Sequence, residues 1–400
     1  MTLTLLLDLD DTLLDSNMEN FIPAYFQALS SSLNDIVSPD IMFQALIGGT
    51  KRMMENKDPQ HFLSEVFDEY FYPKIGIEKK VLFPRINKFY DDIFPDLQYL
   101  TKQRQDSIDF VNWAIKEDIK IVIATNPLFP SKAIYHRLRW AGLDPEDYPF
   151  AMVTTYENSH FTKEKISYFP EIIGKLGWPD GPVVMVGNDI KMDIEPAIAA
   201  GLPVFWINNE VGGAKERQEI PQGRMDDLRS WLEGSTIQSL LYSSQKPTAL
   251  VAAIRSIPAI LETFLSGLDE EKMNYRTNKD DWSTKEVICH LRDVEIEVNL
   301  PRIQKILSQD NTFVNGVNTD PWVNERNYSE QNVEDALKRY IKTRLETLCY
   351  LDNNKLRWDT PVRHSFFGSS TLLELVSVMV EHDKAHIQQI HRLINHSHES

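Results

Sequence analysis

The sequence predicts two folds in series: an α/β doubly wound parallel sheet carrying an inserted helical cap, followed by an all-α four-helix bundle. Three observations carry this prediction. Short apolar runs ending in small or polar residues recur through the first half, at Leu3 to Leu9, Ile119 to Thr125, Val183 to Val186 and Pro203 to Ile207, which is how strands buried on both faces of a parallel sheet read. Roughly 90 residues of aromatic-rich helical pattern separate the first two runs, where about a dozen suffice for a crossover. Beyond residue 247 the strand signals vanish, and long amphipathic helices take over.

The 400-residue length itself favours more than one core. The first domain is expected over 1–233, with the cap over about 16–105 and helices near Phe21 to Leu33 and His61 to Tyr72. A polar stretch at 234–247 reads as a linker. The bundle is expected over 248–396, from helices Leu250 to Leu265, Thr284 to Leu307, Val333 to Leu351 and Thr371 to Leu393. Ser283 and Glu286 stand at capping-box spacing before the second of these.

A formal net charge of −17 repels phosphate backbones and anionic lipid surfaces, so neither nucleic acid nor a membrane is an expected partner. Cys289 and Cys349 are the only cysteines, which excludes a disulfide framework and an all-cysteine zinc site. The opening MTLTLLLDLDD has no basic leader, and acidic residues cut its apolar run. These features predict a cytoplasmic protein, for which a homodimer is an expected assembly.

Asp8 and Asp10 stand two apart at a strand end, where side chains leave one face together and can surround a phosphoryl group or Mg2+. A carboxylate can attack phosphorus while a second acid serves the leaving oxygen. Thr125 and Asn126 close a second strand, Lys163 lies in a polar loop before a helix, and Gly187, Asn188, Asp189 and Asp193 follow a third strand. In this order, DLDDT, the strand ending in Thr125, Lys163 and VGNDIKMD resemble the motifs of haloacid dehalogenase-like hydrolases with a helical cap.

The resemblance implies Asp8 as nucleophile, Asp10 as general acid/base, Thr125 as phosphoryl-oxygen donor and Lys163 as charge clamp. Thr12 and Asn126 join them as ligand-binding groups, and Asp8, Asp10, Asn188, Asp189 and Asp193 as Mg2+ supports. The implied activity is phosphatase action on a small phosphorylated metabolite, since dehalogenase members typically lack the second acid. The chain departs from the pattern twice. Asn188 stands where many members carry aspartate, leaving Asn188 and Asp189 as alternatives for the metal, and Lys165 rivals Lys163 for the clamp.

His382 and His386 lie one helical turn apart, and His290 sits on an earlier helix, so three imidazoles from facing helices can hold one divalent ion with a position left open. With Trp282-Ser283, Asp320-Pro321-Trp322 and Gly368, they resemble the DinB-like helical-bundle metal proteins. That resemblance implies Zn2+ or Ni2+ on the three histidines and kinship with thiol-dependent transferases, hence a low-molecular-weight thiol as co-substrate. It leaves the bundle as an alternative main active centre, with the first domain accessory or degenerate. Cys289 is expected to pack rather than coordinate, Arg292 and Asp293 to orient the histidines or pair at the surface, and Gly48 to Arg52 to touch an anionic substrate or link cap helices. His391, His396 and His398 read as a histidine-rich end with no matching face.

Overall fold

A computed structural model describes residues 2–208, 219–243, 245–279, 281–309, 312–353 and 355–396. Ser244 of the expected linker and His398 fall outside the described residues. The chain forms two compact units: residues 1–168 with 180–242, and residues 169–179 with 243–400. This differs from the expected boundary at 233. Residues Ile237–Leu240 form a helical turn whose Leu240 is buried in the first core, and the next helix already begins at Pro247. Residues 169–179 sort with the second unit because Gly174 brings the backbone close to Ile260, and Gln388 donates to the Trp178 carbonyl at 2.9 Å.

In the first unit the strands in chain order are β1 (Thr4–Leu7), β2 (Leu14–Asp15), β3 (Lys102–Gln103), β4 (Lys120–Ile123), β5 (Met152–Val153), β6 (Val183–Gly187), β7 (Val204–Ile207) and β8 (Gln222–Gly223). Six of them make one parallel sheet in the order β5-β4-β1-β6-β7-β8. β1 is central because its four residues are apolar or small enough to be buried on both faces, and Leu5 pairs with both Ile121 and Val184. Strand order reverses on either side of β1, so the carboxyl ends of β1, β4 and β6 meet at one crevice.

β2 and β3 pair antiparallel, clasping the chain where the cap leaves and returns. The cap consists of helices Met18–Ser32, Pro39–Glu55, Leu63–Ile75 and Lys79–Asp92. The Gly48 to Arg52 segment is not a loop; it lies inside the second cap helix. Gly48 and Gly49 face Tyr70 and Phe67 so closely that a Cβ at either would collide with a ring, and this packing outweighs the low helix propensity of glycine.

The second unit is built on helices Pro247–Ser266, Thr284–Val294 continuing to Leu300–Ser308, Val333–Leu351 and Leu372–His396. Pro247–Ser266 is long and apolar enough to cross a membrane, yet 67% of its most apolar window is buried in the bundle core. The Ser283 side chain accepts from the Glu286 N–H while Glu286 caps the Ser283 N–H. The expected unbroken helix to Leu307 carries a π turn at Glu295–Asn299. Pro301 has no N–H to return to residue 297, so the wider turn accommodates it.

Strands also occur here, contrary to expectation: β9 (Thr312–Val314), β10 (Pro361–His364) and β11 (Gly368–Thr371) form a small sheet. Their polar composition gives no apolar run, and β9 and β10 find each other across nearly fifty residues.

Candidate active site and metal centre

The end of β1 fixes Asp8. Its N–H donates to the Val186 carbonyl at 2.9 Å and its side chain is buried against the crevice. Asp8 Oδ1 receives Lys163 Nζ, and Oδ2 receives the Thr12 hydroxyl at 3.1 Å. Lys163 is 2% exposed and also donates to Asp193 Oδ1 at 2.7 Å. Burial works against the Lys163 ammonium, but the Asp193 and Asp8 carboxylates outweigh it and hold its pKa above the ordinary lysine value. Lys163, not Lys165, therefore meets Asp8.

Asp193 Oδ2 accepts the Asp189 N–H at 3.0 Å, so both oxygens of Asp193 are engaged within this loop. Burial pushes its carboxyl up and Lys163 pulls it back. A side chain at Gly187 would strike that carboxylate, which explains glycine at the close of β6. Asp189, expected among the metal supports, uses its Oδ1 to cap the following turn, accepting from Lys191 N at 2.7 Å and Met192 N at 3.0 Å.

Asn188 takes the place next to Asp8. Its amide end lies 3.2 Å from Asp8 Oδ2, 2.9 Å from the Asp10 backbone carbonyl and 3.1 Å from Thr12 Oγ1. With nitrogen on that side the amide's two N–H groups have three acceptors within reach; turned over, its oxygen joins a cluster of oxygens spaced as ligands of a hard cation are. The residues present thus fit Mg2+.

The Asp10 side chain turns elsewhere. It pairs with Arg137 and accepts from the Ser16 hydroxyl at 2.5 Å. Arg137 is wholly buried, with Phe21 and Phe129 rings 5.5 and 5.4 Å from its guanidinium carbon. Burial pushes it down to about 10, against the pull of Asp8, so it stays charged at neutral pH. No motif signals Arg137; an arginine amid an apolar helix pattern was the available hint. Thr125 is buried, and its carbonyl accepts from the Tyr168 and Thr154 hydroxyls at 2.8 Å. Asn126 Oδ1 accepts the Lys163 N–H at 3.3 Å, tying the two loops together.

In the bundle, His290, His382 and His386 bring one ligand nitrogen each to within 4.8 Å of one another. His290 Nε2 and His382 Nε2 are 3.2 Å apart, close to the roughly 3.3 Å expected between two nitrogens at tetrahedral zinc distances. His382 Nδ1 meets Asp383 Oδ1 and His386 Nδ1 meets Gln389 Oε1, both at 3.1 Å. An imidazole that donates from Nδ1 keeps its lone pair on Nε2, which faces the cluster. Burial first, then the neighbouring histidines, push His290 down to about 3 and His386 to about 4. Neutral imidazoles are what a metal requires, so these residues fit Zn2+ or Ni2+.

Behind His382, Asp383 accepts from Arg344 at 2.8 Å, and Arg344 also donates to Glu295 at 2.7 Å; all three are fully buried. Arg292 and Asp293 do not orient the histidines. They bond each other, and Asp293 also holds Arg326 and Tyr328. Cys289 is buried, its thiol pushed up to about 11 by that burial, and packs as expected.

The first unit is thus a doubly wound α/β domain with a carboxylate–lysine centre, and the second a helical bundle with a three-histidine centre. The family model for haloacid dehalogenase-like hydrolases matches residues 2–201, and that for the DinB superfamily matches residues 253–390. The chain belongs to the haloacid dehalogenase-like hydrolases, and its second unit is similar to the DinB superfamily over the matched residues.

Among solved structures, a HAD phosphatase from Thermococcus onnurineus is 21% identical, over 59% of this chain and 99% of that one, with a TM-score of 0.38. A 2-haloacid dehalogenase from Pseudomonas syringae pv. Tomato DC3000 is 19% identical over 58% and 99%, with a TM-score of 0.42. YfiT from Bacillus subtilis, a four-helix bundle of unusual topology, is 15% identical over 39% and 89%, with a TM-score of 0.35. No curated protein matches this chain.

Proposed function

We propose that the first unit is a Mg2+-dependent phosphatase acting on a small phosphomonoester through an aspartyl-phosphate. The observation that carries this reading is the convergence on Asp8 of Lys163, Thr12 and the Asn188 amide, beside the Asp10 carbonyl. Asp8 attacks phosphorus, the bond from phosphorus to the alcohol oxygen breaks, and Asp10 delivers a proton to that oxygen. Asp10 then takes a proton from water as the water attacks the same phosphorus, and the bond to Asp8 breaks, restoring the carboxylate.

Lys163 offsets charge building on the phosphoryl oxygens, and the Thr125 and Asn126 loop shapes their seat. To act, Asp10 exchanges its Arg137 and Ser16 partners for the leaving oxygen. Mg2+, held by Asp8, the Asp10 carbonyl and Asn188, would supply further charge neutralisation. Acid-quenching the protein during turnover and mapping its peptides by mass spectrometry tests this: phosphate on the peptide containing Asp8 supports it, and an unmodified peptide counts against it.

A second reading places the main chemistry in the bundle, as a metal- and thiol-dependent transferase. The complete three-histidine cluster favours it, as does Asn188 in the place of a carboxylate at the first site. Thiol transfer that persists in Asp8→Asn and disappears in His382→Ala would favour this reading over the first.

A further inference from the structure

A partly open cavity of about 340 Å3 with a predominantly apolar wall lies between the cap and the loop after β4, a size suited to a small ligand. Leu46, Phe67 and Phe71 of the cap form one side, and Leu128, Phe129 and Pro130 of the loop after β4 form the other. That loop also carries Thr125 and Asn126, and the Leu128 N–H donates to the Asn126 carbonyl at 2.8 Å. Phe129 lies against Arg137, which grips Asp10, so one side chain separates the cavity wall from the proposed acid. Ile22, Phe26 and Ile47 line both this cavity and an apolar groove on the cap surface, where Ile47 is 45% and Phe43 53% exposed.

Several polar groups of the wall are already paired, with each other or with residues outside it. The Tyr25 and Tyr90 hydroxyls share a hydrogen bond of 2.7 Å, Asp68 takes Lys79 at 2.5 Å, and Lys51 reaches Glu55 at 3.7 Å. Burial pushes Tyr25 up to about 12 and raises Tyr72, Tyr90 and Tyr156 as well, so the phenols stay neutral. Apolar side chains dominate the wall, which suits an aromatic or aliphatic group better than a sugar or polyol, whose hydroxyls need several converging donors and acceptors.

We propose that this cavity receives the leaving group, and that the substrates of the first site are phosphomonoesters of apolar alcohols, aryl or medium-chain alkyl phosphates. The inference rests on the phosphatase reading of that site. The cavity holds the aromatic or aliphatic part while phosphate sits at Asp8, and the surface groove takes the end of a longer chain.

The test uses the full chain with Mg2+ and compares kcat/KM for methyl, butyl, hexyl and octyl phosphate, 1-naphthyl phosphate, glycerol 3-phosphate and glucose 6-phosphate, all below micelle formation. The expected result is a rise of roughly two- to fourfold per methylene until the cavity fills, with 1-naphthyl phosphate above both polyol phosphates. Ile47→Asp, at an exposed position that tolerates a charge, should lower the octyl-to-methyl ratio about tenfold. Methyl and glycerol phosphates hydrolysed as well as octyl phosphate would overturn the inference and leave the phosphatase standing. No turnover of any compound would overturn the phosphatase reading, and the inference with it.

Discussion

Asn188 concentrates the chemistry of the first site in one side chain. Its amide can donate to Asp8 and the Asp10 carbonyl or, turned over, present an oxygen to a cation, and a carboxylate there would do only the second. Asn188→Asp should therefore lower the Mg2+ concentration for half-maximal activity, by about tenfold, because ligand charge tunes affinity for hard cations. A Mg2+ titration of activity checks this, and an unchanged midpoint would remove Asn188 from the cation's surroundings. Lys163→Met should reduce kcat by roughly 10²-fold or more, as loss of one preorganised donor does, and should leave Asp193 buried without its cation. At this scale Asp8, Thr12 and Lys163 were legible, because strand-end carboxylates, hydroxyls and a loop lysine fall in a recognisable order. Arg137 and the capping role of Asp189 were not. The first is brought to Asp10 by tertiary packing, and the second depends on two backbone N–H groups aimed by a local turn.

The helices of the bundle hold a buried ionic chain, Glu295–Arg344–Asp383, that ends at His382. Burial opposes the Arg344 charge, but Glu295 and Asp383 outweigh it and raise its pKa, while Arg344 holds Asp383 below the usual carboxylate range. Arg344→Met leaves two buried carboxylates without a cation and should cost roughly 3–5 kcal/mol of stability, read as a lower urea midpoint. The histidines give a pH dependence of definite sign. His290 and His386 have folded pKa values depressed to about 3 and about 4, so between those values and the ordinary histidine value the unfolded chain binds more protons. Their contribution is complete above pH of about 6.5 and lost as pH falls toward 4. Urea midpoints of chelator-treated protein at pH 7.5, 6, 5 and 4 should fall in that order in this window. The long helices were plain from their periodicity, and Val333–Leu351 and the Ser283 capping box required nothing more. β9 to β11 and the π turn stayed hidden, since the strands pair across distant polar segments and the turn answers to one proline.

Across the whole molecule two kinds of donor set occur in one chain: oxygen donors around Asp8, and imidazoles in the bundle. Elemental analysis of the full chain should find about one transition-metal ion per molecule, and the His382→Ala, His386→Ala double variant should lose it. Metal content unchanged in that variant would remove the histidines as ligands. The alternation of strands and helices made the doubly wound sheet legible, and the excess length between the first two strands disclosed the cap. The boundary between units was less legible, because residues 169–179 follow the first domain in sequence and the second in packing.

The proposed phosphatase chemistry turns on Asp8 as the nucleophile. The measurement that tests it most directly is Mg2+-dependent phosphate release by wild type and Asp8→Asn, with circular dichroism showing that both are folded. Turnover in the wild type should require Mg2+ and be abolished in the variant. Turnover of Asp8→Asn at the wild-type rate would contradict that role.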